Sequence, residues 1–556
     1  MKKLVTACVV LGLGTMVTAC SPANSSQSNS SPNNTSSSSS SVNGNNALNI
    51  LWIGSSGAPG GPVGSKFPGL WLNRGGLQNV LMFRSLFLPN AALTKETPDL
   101  AKSYSVSSNG LTYKITMKNH LKWQDGKPLT AKDVVWSIKT VLKATLVNPM
   151  YTNSFSEIKG AKSWISGTSN SLSGVSANGN VITINLVKPV ADFIDVLGQF
   201  PIYPEHLLKN VNPLQIGTSS FWKHPIGDGM YKLSKFVPGN YAILVPSNTY
   251  NGPKPKIKKI IIRGASNPVL AAQKGNLDLY NTNNPQEVSG LKSVKGFVEH
   301  PINILYYRYL IFNIKGDKGN KNDDPMANYK VRQAILYGIN RRKLAKSIYP
   351  SLARINNTGV PSSNAAYDSS APTYSYNPTK AKQLLKQAHF NFGQTIKLRY
   401  YYSDQNSKNF MTAVAQYLRN LGMKVNLQQF QGNATDDLFK VRNYDIALKG
   451  LSAFNFQNWY NEYSPNPNNF FTKIWGKSNL VKFNADIKKL SEIRNPAQRK
   501  STLLALQKLE EKTLYKAPLF MLGNSYFVNN NKVKLAGKLG NPWYNYNMDF
   551  QNWTIK

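Results

Sequence analysis

An α/β chain of two or three domains is predicted, on three observations. Period-two apolar alternation, the mark of half-buried strands, recurs between segments whose apolar residues repeat every three or four positions, the mark of amphipathic helices. Helix then strand follow one another in the second half, as across residues 406–430. The 556 residues exceed what a single core organises, and 41% hydrophobic against 17% charged residues is the balance of a globular chain.

The chain opens with Lys2 and Lys3 and an apolar run over residues 4–17, which reads as a signal peptide over 1–19 and is too short to span a bilayer. It ends Val17-Thr18-Ala19-Cys20, which resembles the lipobox of bacterial lipoproteins, so Cys20 is the expected lipidated residue. The other cysteine, Cys8, lies in the segment expected to be removed, which leaves no disulfide, thiol nucleophile or cysteine metal site. Residues 20–46 are nearly all Ser, Asn, Pro and Gly after the cysteine, cannot bury apolar surface, and read as a flexible tether. A first strand is expected over 49–53, then a glycine-rich stretch over 54–76.

The clearest unit runs over residues 111–142. Leu111, Tyr113, Ile115 and Met117 alternate with polar residues as a strand, Asp125-Gly126 makes a turn, and Thr130 with Asp133 forms a capping-box start to a helix. Val134, Val135, Ile138, Val141 and Leu142 share that helix's apolar stripe. Downstream, Asn178-Gly179 precedes a hairpin strand over 181–186. A strand is expected over 306–313 and a helix from Val331, with Asn340 as the cap of the next. Asn377-Pro378 and Asn495-Pro496 cap further helices with Pro at the first position.

These motifs, in this order, resemble the extracellular solute-binding proteins of the peptide and nickel ABC importer class. The resemblance rests on Trp123, the Asp125 to Ala131 run, Asp133-Val134 and Trp136; on Pro98-Asp99-Leu100-Ala101; and on the Pro225 to Tyr231 turn, where Met230 stands in place of Pro. It continues through Gly275 to Asp278, and through Phe312-Asn313 followed by Val331-Arg332-Gln333-Ala334-Ile335. It implies a large two-lobed periplasmic-binding-protein-like fold of the cluster C type, with lobe I over 47–300 plus 517–556, lobe II over 301–516, and an extra subdomain over about 85–220. The crossovers are expected near 307–313 and 518–524.

Composition narrows function. The 66 Lys+Arg against 26 Asp+Glu give +40, but the lysines are spread without a long basic run or a nucleic-acid-binding signature. A solvated basic surface tolerant of anionic polymers or headgroups is expected, and the scarcity of carboxylates is compatible with acidic surroundings. No nucleic-acid partner is expected. His120, His206, His224, His300 and His389 show no ligand spacing, and Gly476-Lys477-Ser478 has Phe471 where a phosphate loop needs Gly. No catalytic residue, metal or cofactor is therefore expected, and the chain is not read as an enzyme.

The resemblance implies a monomeric binding subunit that closes on a small solute, expected to be an oligopeptide, and presents it to the permease and ATPase subunits of an importer. Its place would be the outer face of a Gram-positive cell membrane, held through the lipid on Cys20. Relatives of the peptide-binding type seat the ligand ammonium on an Asp. The matching run here is Gly450-Leu451-Ser452-Ala453-Phe454-Asn455, which carries no carboxylate. The ligand then lacks a free amine, or carbonyls and Asn side chains hold it, or Glu462 approaches from downstream. Asp445 reads as structural. Ligand-binding candidates are Ser452, Phe454, Asn455 and Trp459 from one side, Asn281 and Asn283 from the other, and Phe520 and Met521 near the second crossover. Alternative readings keep the transporter class for an oligosaccharide or metal chelate, or make the chain a basic adhesin for wall polymer.

Overall fold

The computed structural model describes residues 46–51, 76–90, 95–144, 154–314, 324–452, 455–467, 469–543 and 548–556. Cys20, Trp52 and Ile53 of the expected first strand, Phe454, and all of the expected glycine-rich stretch over 54–76 except Gly76 lie outside them. The described chain divides into two compact units: a first over 46–304, 349–352 and 522–556, and a second comprising Leu305–Ile348 and Ala353–Met521. The second unit thus runs to Met521, five residues beyond the expected end of lobe II, because the strand Lys516–Leu522 pairs along its length with Tyr306–Phe312.

The first unit holds a seven-stranded sheet in the order Phe297–Ile302, Asn524–Asn529, Leu279–Thr282, Leu48–Leu51, Ile260–Arg263, Tyr241–Pro246 and Tyr231–Val237. Asp278, fully buried, ties this sheet together. It accepts the backbone and side-chain N–H of Asn49, both at 2.8 Å, and the Lys532 ammonium at 2.8 Å. That is the physical reason for an acid at the end of the Gly275 to Asp278 motif.

The strand, turn and helix unit belongs to a separate four-stranded sheet ordered Ala101–Val106, Thr112–Met117, Val181–Asn185 and Val175–Asn178. Gly126 has φ +87° and closes the turn by donating to the Trp123 carbonyl at 2.9 Å. The Thr130 N–H donates to Asp133 at 2.8 Å, and the helix Ala131–Lys143 follows. Val135 is half-buried where the stripe predicts full burial. Ser137 takes an inward position instead, accepting the Tyr203 N–H at 3.1 Å.

Gly227 and Gly229 serve close approach. Asp228 and Gly229 donate their backbone N–H to the Met82 carbonyl at 3.0 and 2.8 Å, so a Cβ at Gly227 would meet that oxygen. Nearby, Arg84 is buried and pairs with Asp99 at 2.5 Å, which accounts for the acid in the Pro98 to Ala101 run.

The second unit is built on a six-stranded sheet ordered Ala353–Ile355, Lys516–Leu522, Tyr306–Phe312, Ile446–Ser452, Thr395–Tyr400 and Lys424–Gln429. Every residue of Tyr306–Phe312 is buried, as a central strand requires. Asn313 then donates to the carbonyls of Tyr444 at 2.9 Å and Arg442 at 3.2 Å, which explains an amide directly after the strand. Arg332 is buried and donates to the Thr513 carbonyl at the C-terminus of the helix Pro496–Thr513, where the helix dipole favours a cation. Asn340, Asn377 and Asn495 accept backbone N–H groups at 2.9, 2.8 and 3.0 Å, as the capping pattern predicts. The helix expected near 406–421 is Gln405–Asn420, capped by Asp404, and Gly422 with φ +94° turns the chain into Lys424–Gln429.

Candidate functional site

Four strands of the second unit point the same way: Lys516–Leu522, Ile446–Ser452, Thr395–Tyr400 and Lys424–Gln429, the antiparallel Tyr306–Phe312 running between the first two. Their carboxyl ends therefore share one edge, the place where an open α/β sheet gathers its ligand-binding loops. Ser452 lies opposite Tyr306 there, and Met521 opposite Tyr307. Met521 and Trp459 belong to one apolar cluster with Tyr307, and the Trp459 ring stands 5.8 Å from that of Tyr307. Phe520 points to the other face, edge-on to Phe410 at 5.6 Å. Asn455 caps the short helix Phe456–Tyr460 by accepting the Asn458 N–H at 3.2 Å.

Five of the expected residues, Ser452, Asn455, Trp459, Phe520 and Met521, are thus carried by two strands and by the short capped helix that follows one of them. All five are buried, and Trp459 serves as core. Phe454 is outside the described residues. Asn281 and Asn283 belong to the first unit, Asn281 opposite Tyr526 in the strand Leu279–Thr282 and Asn283 just after its carboxyl end.

Directly behind the edge lies a buried charged set that residue patterns did not reveal. Glu462 has no exposed surface and takes the ammonium groups of Lys449 at 2.8 Å and Lys516 at 2.6 Å, with the Tyr309 hydroxyl at 2.7 Å. Burial alone would raise its carboxyl, but the two lysines outweigh burial and hold it below the ordinary glutamate value. Glu462 is therefore not available to a ligand ammonium, and that expectation is corrected: two internal cations already fill its coordination. Glu510, also buried, accepts the hydroxyls of Tyr460 and Tyr463 at 3.0 Å and the Gly359 N–H at 2.9 Å. Burial raises it, against the opposing pull of Lys516 and these hydrogen bonds. Asp445 accepts the Lys397 N–H at 2.6 Å and is structural. Together these bonds anchor the 455–463 segment to the sheet and to the helix Pro496–Thr513.

Among the described residues no cluster of three His, Cys, Asp or Glu side chains has metal-site geometry. Among them, too, no helix is long and apolar enough to cross a membrane.

The second of these α/β units thus carries an edge of aligned strand ends over the buried Glu462–Lys449–Lys516 set. Residues 95–480 match the family model of bacterial extracellular solute-binding proteins, family 5 middle region, and the chain belongs to that family of substrate-binding proteins of ABC importers, which are not enzymes. The dipeptide-binding protein of Lactococcus lactis is 30% identical over 385 residues, 65% of this chain and 68% of that protein. The matched stretch thus spans about two thirds of that relative's length. Among solved structures, NikA from Brucella suis in complex with Fe(III)-EDTA superposes with a TM-score of 0.74 at 18% identity, over 92% of this chain and 100% of that one. Lactococcal OppA complexed with an endogenous peptide in the closed conformation gives 0.67 at 21% identity, over 85% and 93%. The expected α/β fold of the two-lobed family 5 binders is the fold found.

Proposed function

We propose that the protein is the lipid-anchored substrate-binding subunit of an ABC importer, capturing oligopeptides between two hinged lobes and handing them to the permease. The reading is supported by family membership and by the 30% identity to a dipeptide-binding protein. The observation that carries it is the edge of strand ends that bears Ser452, Asn455 and Met521, backed by the buried Glu462–Lys516 pair. A peptide would add main-chain hydrogen bonds there, and lobe closure would be selected by the ligand. Anchoring would run through Cys20, which follows the lipobox-like residues, at the outer face of a Gram-positive membrane.

One observation favours a second ligand class. Glu462, Glu510 and Asp445 are all engaged inside the second unit, so none of them serves a ligand ammonium. A metal chelate, the kind of ligand in the NikA complex, needs no such partner.

The test is native purification of the full chain, mass spectrometry of co-purifying solutes, and thermal shift with matched free-amine and N-acetyl peptides. Peptides recovered, with stabilisation that rises with peptide concentration, are expected. A weaker response to the N-acetyl form is expected if carbonyls and amide oxygens hold the ammonium, and an equal response if the terminus is not recognised. An empty protein that responds to nickel or iron chelates and to no peptide would transfer the function to chelate uptake.

A further inference from the structure

The charge of the second unit is segregated. Four helices, Tyr329–Gly338, Arg341–Ile348, Pro378–Gln387 and Gln405–Asn420, contain 11 Lys and Arg and no Asp or Glu. Tyr329–Gly338 packs against Pro378–Gln387 and Gln405–Asn420, and Gln405–Asn420 packs against Arg341–Ile348. The helices Lys477–Glu492 and Pro496–Thr513 of the same unit instead carry 8 basic and 4 acidic residues. Uniform basicity of the chain does not produce that contrast.

Nor are these cations absorbed inside. Arg332 and Arg341 are buried and donate to backbone carbonyls, but the other nine are exposed, including Lys343, Lys346, Lys382 and Lys386. Two rings stand among them: Tyr376 at 42% and Phe392 at 41% exposure flank Pro378–Gln387 at its two ends. Between residues 325 and 403 the sole carboxylate is Asp368, which is buried and paired with Lys508 at 3.3 Å.

We infer that this helical layer is a docking face for an anionic lipid bilayer. Exposed lysines spread over four neighbouring helices suit a broad anionic surface better than a single polymer strand, and tyrosine and phenylalanine side chains partition to the headgroup level. Each lysine near such a surface strengthens binding about fivefold at moderate ionic strength, and salt weakens it. The inference is independent of which solute the protein carries.

The experiment uses the full chain with Cys20→Ser, so that acylation does not supply membrane binding. It is pelleted with phosphatidylcholine vesicles with and without phosphatidylglycerol, across a salt series. One variant combines Lys343→Glu, Lys346→Glu, Lys382→Glu and Lys386→Glu. A control of equal net charge combines Lys102→Glu, Lys114→Glu, Lys132→Glu and Lys159→Glu, all exposed in the first unit. Circular dichroism confirms that both fold. The expected result is additional binding that requires phosphatidylglycerol, reduced at least about tenfold in the helical variant and within about threefold of the parent in the control. Equal losses would reduce the effect to bulk charge and overturn the assignment. Binding to soluble polyglycerolphosphate without any phosphatidylglycerol-dependent vesicle binding would also overturn it, in favour of an anionic polymer.

Discussion

Glu462 and Lys516 meet at 2.6 Å with side chains 0% and 2% exposed, and Lys449 meets the same carboxylate from Ile446–Ser452, on the far side of the central strand Tyr306–Phe312. The acid comes from the turn after the helix Phe456–Tyr460, and both lysines come from the sheet. The segment bearing Asn455 and Trp459 is thereby fixed to the strands behind it.

Removing one member of such a set leaves its partners charged in a dry interior. Glu462→Gln is expected to destabilise the protein by about 3–5 kcal/mol. The triple variant Lys449→Met, Glu462→Leu, Lys516→Met should recover most of that loss, because the set is removed together and none of its three members is left as an unpaired charge. Urea unfolding checks both, and a cost of Glu462→Gln below about 1 kcal/mol would contradict the argument.

A second prediction concerns pH. Glu96 lies in the strand Glu96–Pro98 and stacks its carboxyl over Gly198. Burial first, and then the nearby Asp195, push it from 4.5 up to about 9. A carboxyl raised on folding favours the folded state while protonated, so its contribution is present below 4.5 and is lost as pH rises toward 9. The melting temperature should fall over that window, and Glu96→Gln should flatten the fall. Glu462 acts in the opposite sense, since its carboxyl is lowered and its contribution disappears only on acidification below 4.5.

Backbone approach at the Pro225 to Tyr231 turn gives a third. Gly227→Ala sets a methyl against the Met82 carbonyl and should cost about 1–3 kcal/mol in thermal or urea unfolding. Gly239 has open space but φ +75°, so Gly239→Ala should cost only about 1–2 kcal/mol, from the backbone alone.

Asn313→Ala should cost about 1–3 kcal/mol, because it strips the carbonyls of Tyr444 and Arg442 of their shared donor. Asn313→Asp, which brings an acceptor toward two acceptors, should be worse. Chemical denaturation of the pair decides the order.

What was legible in the residues was local. The Thr130–Asp133 cap, the Asn377 and Asn495 caps and the alternation over 112–117 each involve neighbours within a few positions, where spacing dictates contact. The motif order carried the fold because each motif residue has a structural task, as Asp278 and Asn313 show. Glu462 was not legible: Lys449 and Lys516 lie 13 and 54 positions away, and no spacing rule joins them. Trp459 could have been wall or core, and only packing against Tyr307 distinguishes the two. Where Lys516–Leu522 belongs follows from its pairing with Tyr306–Phe312, a long-range contact that composition does not show.

The strand Asn524–Asn529 sits between Leu279–Thr282 and Phe297–Ile302, although more than two hundred residues separate it from either in the chain. During synthesis and export the chain emerges from its N-terminus, so both flanking strands wait with open edges until the whole second unit has passed. Such edges invite wrong pairing and aggregation. Maturation of the first unit is thus tied to the arrival of the last few dozen residues, and a chain truncated near residue 520 should be a substrate for proteolysis even though its second unit is nearly complete.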